Sequence, residues 1–312
     1  MSIRPSEQAS GPQHSLSPRG LFHLVVVYIV WGSTYLAIRI AVREGAGFPP
    51  FTMAAMRVVV GATILLLWGW AARAQFRLSG KQTLTLATSA ILLWVGGNGM
   101  VAWAEKTVES GYAALLVGAM PLWVAIMESI VDKRPPSFRL LSALLVGLAG
   151  IAVLNGPVIM EGSVGSLIGA VALVFASISW GAGSILQRRR PVTVGPEVSS
   201  GYQQAFGCAG LLIAAAMTGE PKPTPTAEAW AAWAYLAIFG SVFAFTSFVK
   251  ALRLLPTNIV MTYAYVNPVI AVFLGWIILD ESVTWWTLGG TVLVVFGVMG
   301  VFYEKRREPS RK

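Results

Sequence analysis

Apolar residues run in long blocks along this chain, near 21–40, 51–72, 83–104, 111–130, 138–155, 164–187, 197–217, 228–249, 257–279 and 284–303. A helix needs about 20 apolar residues to cross a hydrocarbon core about 30 Å thick, and all but the short fifth block have that length. The blocks are continuously apolar, without the in/out alternation of a barrel strand, so they predict helices. The connections between them are short and polar. The pattern therefore predicts an all-α integral membrane protein with ten transmembrane helices.

The second five blocks echo the first five. Residues 102–155 align with 249–302 at a constant offset of 147, with Ala104/Ala251, Pro121/Pro268, Leu141/Leu288 and Gly150/Gly297 as identities. Trp31-Gly32 and Trp180-Gly181 match at an offset of 149. The identities are few, but a shared pattern of mid-span proline, polar turn and glycine-bearing apolar block accompanies them. Five spans per half is an odd number, so a second copy in series enters the membrane from the opposite side. The expected organisation is two inverted five-helix repeats, residues 21–155 and 164–303, flanked by polar tails at 1–20 and 304–312. Inverted repeats commonly build alternating-access transporters, with a solute site near the bilayer midplane between the halves.

Charge supports this topology. Only 12% of residues are charged, against about 25% in a soluble domain. With a cytoplasmic N-terminus, 18 of the 23 basic residues fall on the inner side, among them Arg73, Arg77, Lys133, Arg134, Arg188, Arg189 and Arg190. Arg39, Arg43, Lys106 and Lys222 fall outside, and Arg57 lies within the second span. A basic inner side orients membrane proteins, so the net charge of +9 reflects orientation and not nucleic-acid binding. Both termini are expected in the cytoplasm, with the basic tail 304–312 facing an anionic leaflet. The connection after the fourth span carries Lys133, Arg134 and Arg139, whereas its counterpart after the ninth carries Asp280 and Glu281, in keeping with inversion. Residues 1–20 are rich in Pro, Ser and Gly and read as a disordered tail rather than a signal peptide. Cys208 is the single cysteine, so no intramolecular disulfide forms.

Helical spacing then groups the polar and aromatic residues. Tyr28, Trp31 and Tyr35 share one face of the first span, and Ser177, Trp180, Ser184 and Gln187 share one face of the sixth, its repeat equivalent. Trp31 and Trp180 sit mid-span, away from the interfacial belts where Trp usually collects, so the two stripes are expected to line a central cavity. On the third span Trp94, Asn98, Val101 and Glu105 form a stripe. An asparagine amide in hydrocarbon needs a partner, so Asn98 is expected to face protein or water. Pro121 and Pro268 interrupt the fourth and ninth spans. Each is either a structural kink or a hinge with freed carbonyls near the solute. Tyr263 and Asn267 share a face beside Pro268, and Met120, Trp123 and Met127 do so beside Pro121. Arg57 and Glu105 are ionisable groups near the outer side. They either approach each other, as a gate or around a solute charge, or reach water separately. Glu105 is the best-placed proton carrier.

Five strings carry a family resemblance: Trp31-Gly32-Ser33-Thr34-Tyr35, Gly97-Asn98-Gly99-Met100, Gly150-Ile151-Ala152-Val153-Leu154-Asn155, Ser177-Ile178-Ser179-Trp180 and Tyr263-Ala264-Tyr265-Val266-Asn267-Pro268. Together they resemble the drug/metabolite transporter superfamily in its ten-helix EamA type, and within it the YedA-like inner-membrane proteins. The resemblance covers residues 21–303. It implies two EamA halves in a bacterial inner membrane and export of small metabolites or amino acids. Family halves often end the fourth span with an acidic residue; Glu281 fits in the second half, but Arg134 stands at the aligned position of the first, with Asp132 two residues earlier.

Other chemistries lack their residues. Both histidines, His14 and His23, lie in the first 23 positions, so no metal cluster or Ser-His nucleophile is expected. No GxxxxGK[ST] string is present. No cofactor and no enzymatic activity are expected. The sequence reads as a secondary transporter exporting small metabolites, amino acids foremost, by alternating access, driven by the solute gradient or by proton exchange. Efflux of toxic aromatic or cationic compounds is the alternative. The expected solute-lining residues are Trp31, Tyr35, Trp94, Asn98, Trp123, Trp180, Ser184, Tyr263 and Asn267, and the gating or proton-coupling residues are Arg57, Glu105, Pro121 and Pro268.

Overall fold

The computed structural model describes residues 16–108, 110–154, 156–160, 167–270 and 284–307. Every regular element among them is helical. α1 is Pro18–Val42, α2 Pro50–Ala71, α3 Gly80–Ala104, α4 Ser110–Val117, α5 Met120–Asp132 and α6 Phe138–Leu154. α7 is Leu167–Arg189, α8 Pro196–Met217, α9 Ala227–Leu254, α10 Thr257–Met261 and α11 Trp285–Arg307. A short helical segment, Gly156–Met160, follows α6, and a helical run at 263–270 follows α10. The N-terminal tail to residue 15, His14, Asn155, Asp280 with Glu281, and the C-terminal tail from 308 lie outside the described residues.

Six helices, α1, α2, α3, α7, α9 and α11, are long and apolar enough to cross a membrane, and α6 contributes a shorter apolar stretch, Phe138–Val153. Their outward faces are apolar: Phe22, Ile29, Leu67, Trp70, Phe175, Phe243 and Phe296 are all exposed. Water-soluble helices place charged and polar residues there; lipid-facing helices do not.

Local sequence explains where helices begin and end. α1, α2 and α8 carry proline in the first turn, where its missing N–H costs nothing. α3 opens on a capping box, with Ser79 Oγ accepting from Gln82 N and Gln82 Oε1 accepting from Ser79 N. α9 opens on Thr226, whose hydroxyl accepts from Ala229 N. α8 stops at Gly219, whose φ of +63° suits a residue without a Cβ.

The fourth span differs from its expected form. Pro121 is not in the middle of a continuous helix. The chain breaks at Gly118 and Ala119, and Pro121 sits in the first turn of α5. Proline cannot donate to the carbonyl of Val117 four residues back; Ser177 Oγ of α7 approaches that carbonyl at 3.5 Å instead. The ninth span is interrupted likewise, by a turn at Thr262 between α10 and the 263–270 run that holds Pro268.

Two helix pairs dominate the packing, α2 with α8 and α6 with α11. Both seams are built on glycine. Gly61 and Gly69 of α2 face Gln204 and Val198, and Gly201 of α8 faces Leu65 and Leu66. Gly297 of α11 meets the backbone of Gly147 in α6. In lipid, helix association depends on such close contact because apolar burial supplies little drive.

The α1–α2 and α8–α9 connections are joined. Thr224 N donates to Gly47 O at 2.9 Å and Thr226 N to Ala46 O at 3.0 Å. Glu220, which the sequence reading did not single out, caps α2: its carboxylate accepts from Phe51 N at 2.9 Å, Thr52 N at 2.7 Å and Thr52 Oγ1 at 2.7 Å. Replacing Glu220 by Ala is expected to cost about 1–2 kcal/mol, the usual loss at a helix cap, with Glu220→Gln retaining part of it. Thermal unfolding of the detergent-solubilised protein measures this, and an unchanged midpoint for Glu220→Ala refutes the cap.

Candidate functional site

The stripe on α1 meets the stripe on α7. Trp31 and Trp180 contact edge to face, with ring centroids 5.3 Å apart at 84°. Trp31 also packs on Tyr263 at 5.0 Å and on Phe248 at 5.1 Å. Trp94 approaches Trp180 at 6.4 Å and Phe245 at 4.8 Å. Such edge-on and tilted rings form a rigid apolar wall.

A cavity of about 60 Å³ lies against this wall. α1 gives Trp31, Thr34, Tyr35 and Ile38; α2 gives Arg57; α3 gives Trp94, Gly97, Asn98 and Val101. Val117 and Met120 flank it from either side of the α4–α5 break, Ala176 and Trp180 come from α7, and Tyr263 and Asn267 from the 263–270 run. A ligand pocket typically measures about 300–1,000 Å³, so the cavity here is compact.

Its polar groups are unusual for a packed interior. Asn98 Oδ1, both amide atoms of Asn267, Arg57 Nη1, and the indole N–H groups of Trp94 and Trp180 are buried without a hydrogen-bond partner among the described residues. Each such group costs about 1–3 kcal/mol, and most buried polar atoms in folded proteins avoid it. All of these residues line the one cavity, so its wall offers hydrogen-bonding groups that the described residues leave unpaired.

Two π-helical segments bear on the cavity, one lining it through Trp94, Gly97 and Asn98 and the other holding the wall residues Trp31 and Arg57 from behind. Ile91–Gly99 lies within α3 and Leu236–Ala244 within α9, nine residues each. A π turn widens the helix and loosens its carbonyl pairing, and it occurs often at functional sites. Here side chains take up the carbonyls. Ser179 Oγ of α7 donates to Leu92 O at 2.8 Å, and Trp31 Nε1 of α1 donates to Gly240 O at 3.3 Å. Gln204 Nε2 donates to Ser241 O at 2.9 Å.

The structure brings most of the expected lining residues together, on the wall already described. Trp123 and Ser184 are not on it. Trp123 lies on α5 one turn beyond Met120, which does line the cavity, and the Ser184 hydroxyl donates to Trp180 O at 2.7 Å one turn back. Of the gating candidates only Arg57 reaches the cavity. No ion pair joins Arg57 and Glu105. Arg57 turns inward, with Nε donating to Ser241 Oγ at 3.0 Å and its guanidinium 5.5 Å from the Trp94 ring. Glu105 ends α3 fully buried, with neither carboxylate oxygen hydrogen-bonded, and Arg39 holds the backbone carbonyls of Glu105 and Lys106. These are the two buried charged side chains among the described residues. Pro121 and Pro268 sit behind the wall, next to Met120 and Asn267 respectively.

Sequence reasoning missed Thr34, the Gly240-Ser241 step and the buried pair Gln203-Gln204. The adjacent amides inside an apolar span were a visible signal, because a membrane interior tolerates such groups only where they are engaged. The role of Gly240-Ser241 had no signal of its own.

Residues 18–156 and 167–303 each match the EamA-like transporter family. The chain is 34% identical over 293 residues to the uncharacterized inner membrane transporter YedA of Escherichia coli (strain K12), with 92% of each chain covered. It is 22% identical over 294 residues to the uncharacterized transporter YoaV of Bacillus subtilis (strain 168), covering 91% of this chain and 97% of that one. A solved crystal structure shares the fold at a TM-score of 0.73 and 20% identity, covering 92% of this chain and 99% of that one.

Proposed function

Since the chain belongs to the EamA-like transporter family, we propose that it is a secondary transporter exporting small metabolites, amino acids foremost, by alternating access through the Trp31–Trp180 cavity. The observation that carries this reading is the convergence of unpartnered polar atoms and aromatic rings on one buried cavity. A cavity of about 60 Å³ holds a few waters, so a metabolite enters it only when the surrounding helices part.

In this reading ten spans form two inverted repeats, about 21–155 and 164–303, in the inner membrane with both termini cytoplasmic. Several pairings support it. α2 and α8 are second spans of their halves, α6 and α11 are fifth spans, and each pair packs together. The two π segments are offset by 145 residues, 91 to 236 and 99 to 244. In each, a side chain from the first span of the other half binds a carbonyl. The α4–α5 break and the turn at Thr262 give both halves a bending point near Pro121 and Pro268.

Counterflow in proteoliposomes tests transport. Vesicles preloaded with an unlabelled amino acid are expected to accumulate the labelled one, and no accumulation across an amino-acid panel removes the assignment. Efflux of aromatic compounds is a second reading, favoured by the ring-lined wall; accumulation of planar aromatic solutes in place of amino acids would select it. Glu105 is proposed as the proton carrier because its carboxylate is buried with no hydrogen bond to fix it. Glu105→Gln is expected to abolish the pH dependence of exchange, and an unaltered pH profile takes Glu105 out of the mechanism.

A further inference from the structure

Arg57 is the cationic residue on the cavity wall, and among the described residues no acidic side chain shares that wall. Its residue is 2% exposed. Nε donates to Ser241 Oγ at 3.0 Å, Nη1 has no partner, and the guanidinium lies 5.5 Å from the Trp94 ring. Ser241 is a neutral partner, accepting from Arg57 while its hydroxyl donates to Leu236 O at 3.2 Å. The ion pairs found among the described residues lie elsewhere, at Arg43–Glu228, Arg189–Asp132 and Lys250–Glu197. Glu105, the other buried charge, is off the wall.

A guanidinium stays protonated across the physiological range. Buried without a counter-charge it is strongly unfavourable, and the cost is recovered only by an anion with good geometry. Its planar fork matches a carboxylate through two parallel hydrogen bonds. Cations face the opposite situation: they enter a low-dielectric space that already holds one positive charge.

We propose that the cavity binds its solute through a carboxylate held by Arg57, so that the solutes are monocarboxylates with a compact apolar or aromatic body, amino-acid zwitterions included. This rests on the reading of the cavity as the transport site. The ring wall of Trp31, Trp180 and Tyr263 takes the apolar body. Asn98 Oδ1 and the Asn267 amide are placed for a second polar group such as an amine or hydroxyl. On this assignment the chain does not export lipophilic cations.

The test is a probe series of one size: 3-phenylpropionate, 3-phenylpropionamide and 3-phenylpropylamine, titrated at neutral pH into the purified full chain. The acid is expected to bind about 10- to 100-fold more tightly than the amide, the range of a charge-assisted hydrogen bond, and the amine weakest. In Arg57→Gln the acid and amide bind alike. Arg57→Lys keeps a reduced preference for the acid, because an ammonium supplies charge but no fork. The wild-type series stands even where Arg57→Gln fails to fold. Absence of acid binding, amide or amine binding as tight as the acid, or an acid preference retained in monodisperse Arg57→Gln overturns the assignment. Binding of the acid without exchange of any probe in proteoliposomes leaves the carboxylate site standing and removes the transport reading.

Discussion

Gly297→Leu is expected to prevent assembly of the folded protein. A Cβ at position 297 lies 2.5 Å from both the Cα and the N of Gly147 and 2.9 Å from Ala143 O. These are backbone atoms of α6 and cannot rotate aside. One helical turn away the same seam is equally tight, where a Cβ on Gly150 lies 2.6 Å from Val294 N. Overpacking a core typically costs about 1–3 kcal/mol, and a backbone-on-backbone clash exceeds that because one whole helix must move. Separating α6 from α11 also forfeits the close contact on which helix association in lipid depends. Size-exclusion chromatography in detergent reads the outcome as aggregated or absent protein. Gly289→Leu is the control, since a Cβ there meets only Val153 Cγ1 at 3.9 Å. A monodisperse Gly297→Leu protein with the wild-type unfolding midpoint would show that α6 and α11 do not pack as described.

Trp31→Ala is expected to bring solute exchange to background. Trp31 joins the first span to three others: its ring touches Trp180, Tyr263 and Phe248, and its N–H binds the π-segment carbonyl of Gly240. Truncating a buried Trp to Ala costs about 3–5 kcal/mol, so stability falls too, and exchange must be normalised to folded protein. Trp31→Phe separates the two roles. It keeps an apolar ring and loses the hydrogen bond to Gly240 O, a loss of about 1 kcal/mol, and measurable exchange is expected to persist. Exchange at the wild-type rate in folded Trp31→Ala would place the solute path elsewhere.

Seven of the nine expected lining residues share one cavity wall because side chains four apart on an α-helix point the same way. Trp31 with Tyr35 and Tyr263 with Asn267 are each four residues apart on α-helical turns, and both pairs line the cavity; Trp94 with Asn98 has the same spacing and lines it too, though from a π segment. Trp123 shares a face of α5 with Met120 and Met127 by spacing, but of the three only Met120 lines the cavity; spacing along one helix does not say how far along that face a cavity extends. Ser184 does not line the cavity and donates its hydroxyl to Trp180 O; a serine in a helix can satisfy its hydroxyl on its own preceding turn, and no pattern of letters distinguishes that from facing a cavity. Arg57 was recognised as ionisable within a span, but spacing could not say whether it turned toward Glu105 or inward.

The amino-acid sequence alone determined that this chain is helical and membrane-embedded, that its halves are related, and which faces of its helices are aromatic and polar. The first and last follow from composition and a 3.6-residue period, both local, and the second from the repeat at an offset of 147. Tertiary structure alone decided that Arg57 faces the cavity with neutral Ser241 as its hydrogen-bond partner, that α3 and α9 loosen into π turns, and that Glu220 caps a helix in the other half. Each depends on contacts between distant segments, from Ser179 with Leu92 at a separation of 87 to Arg57 with Ser241 at 184, and Glu220 with Phe51 at 169. Their geometry depends on how whole helices settle against one another, which no local pattern encodes.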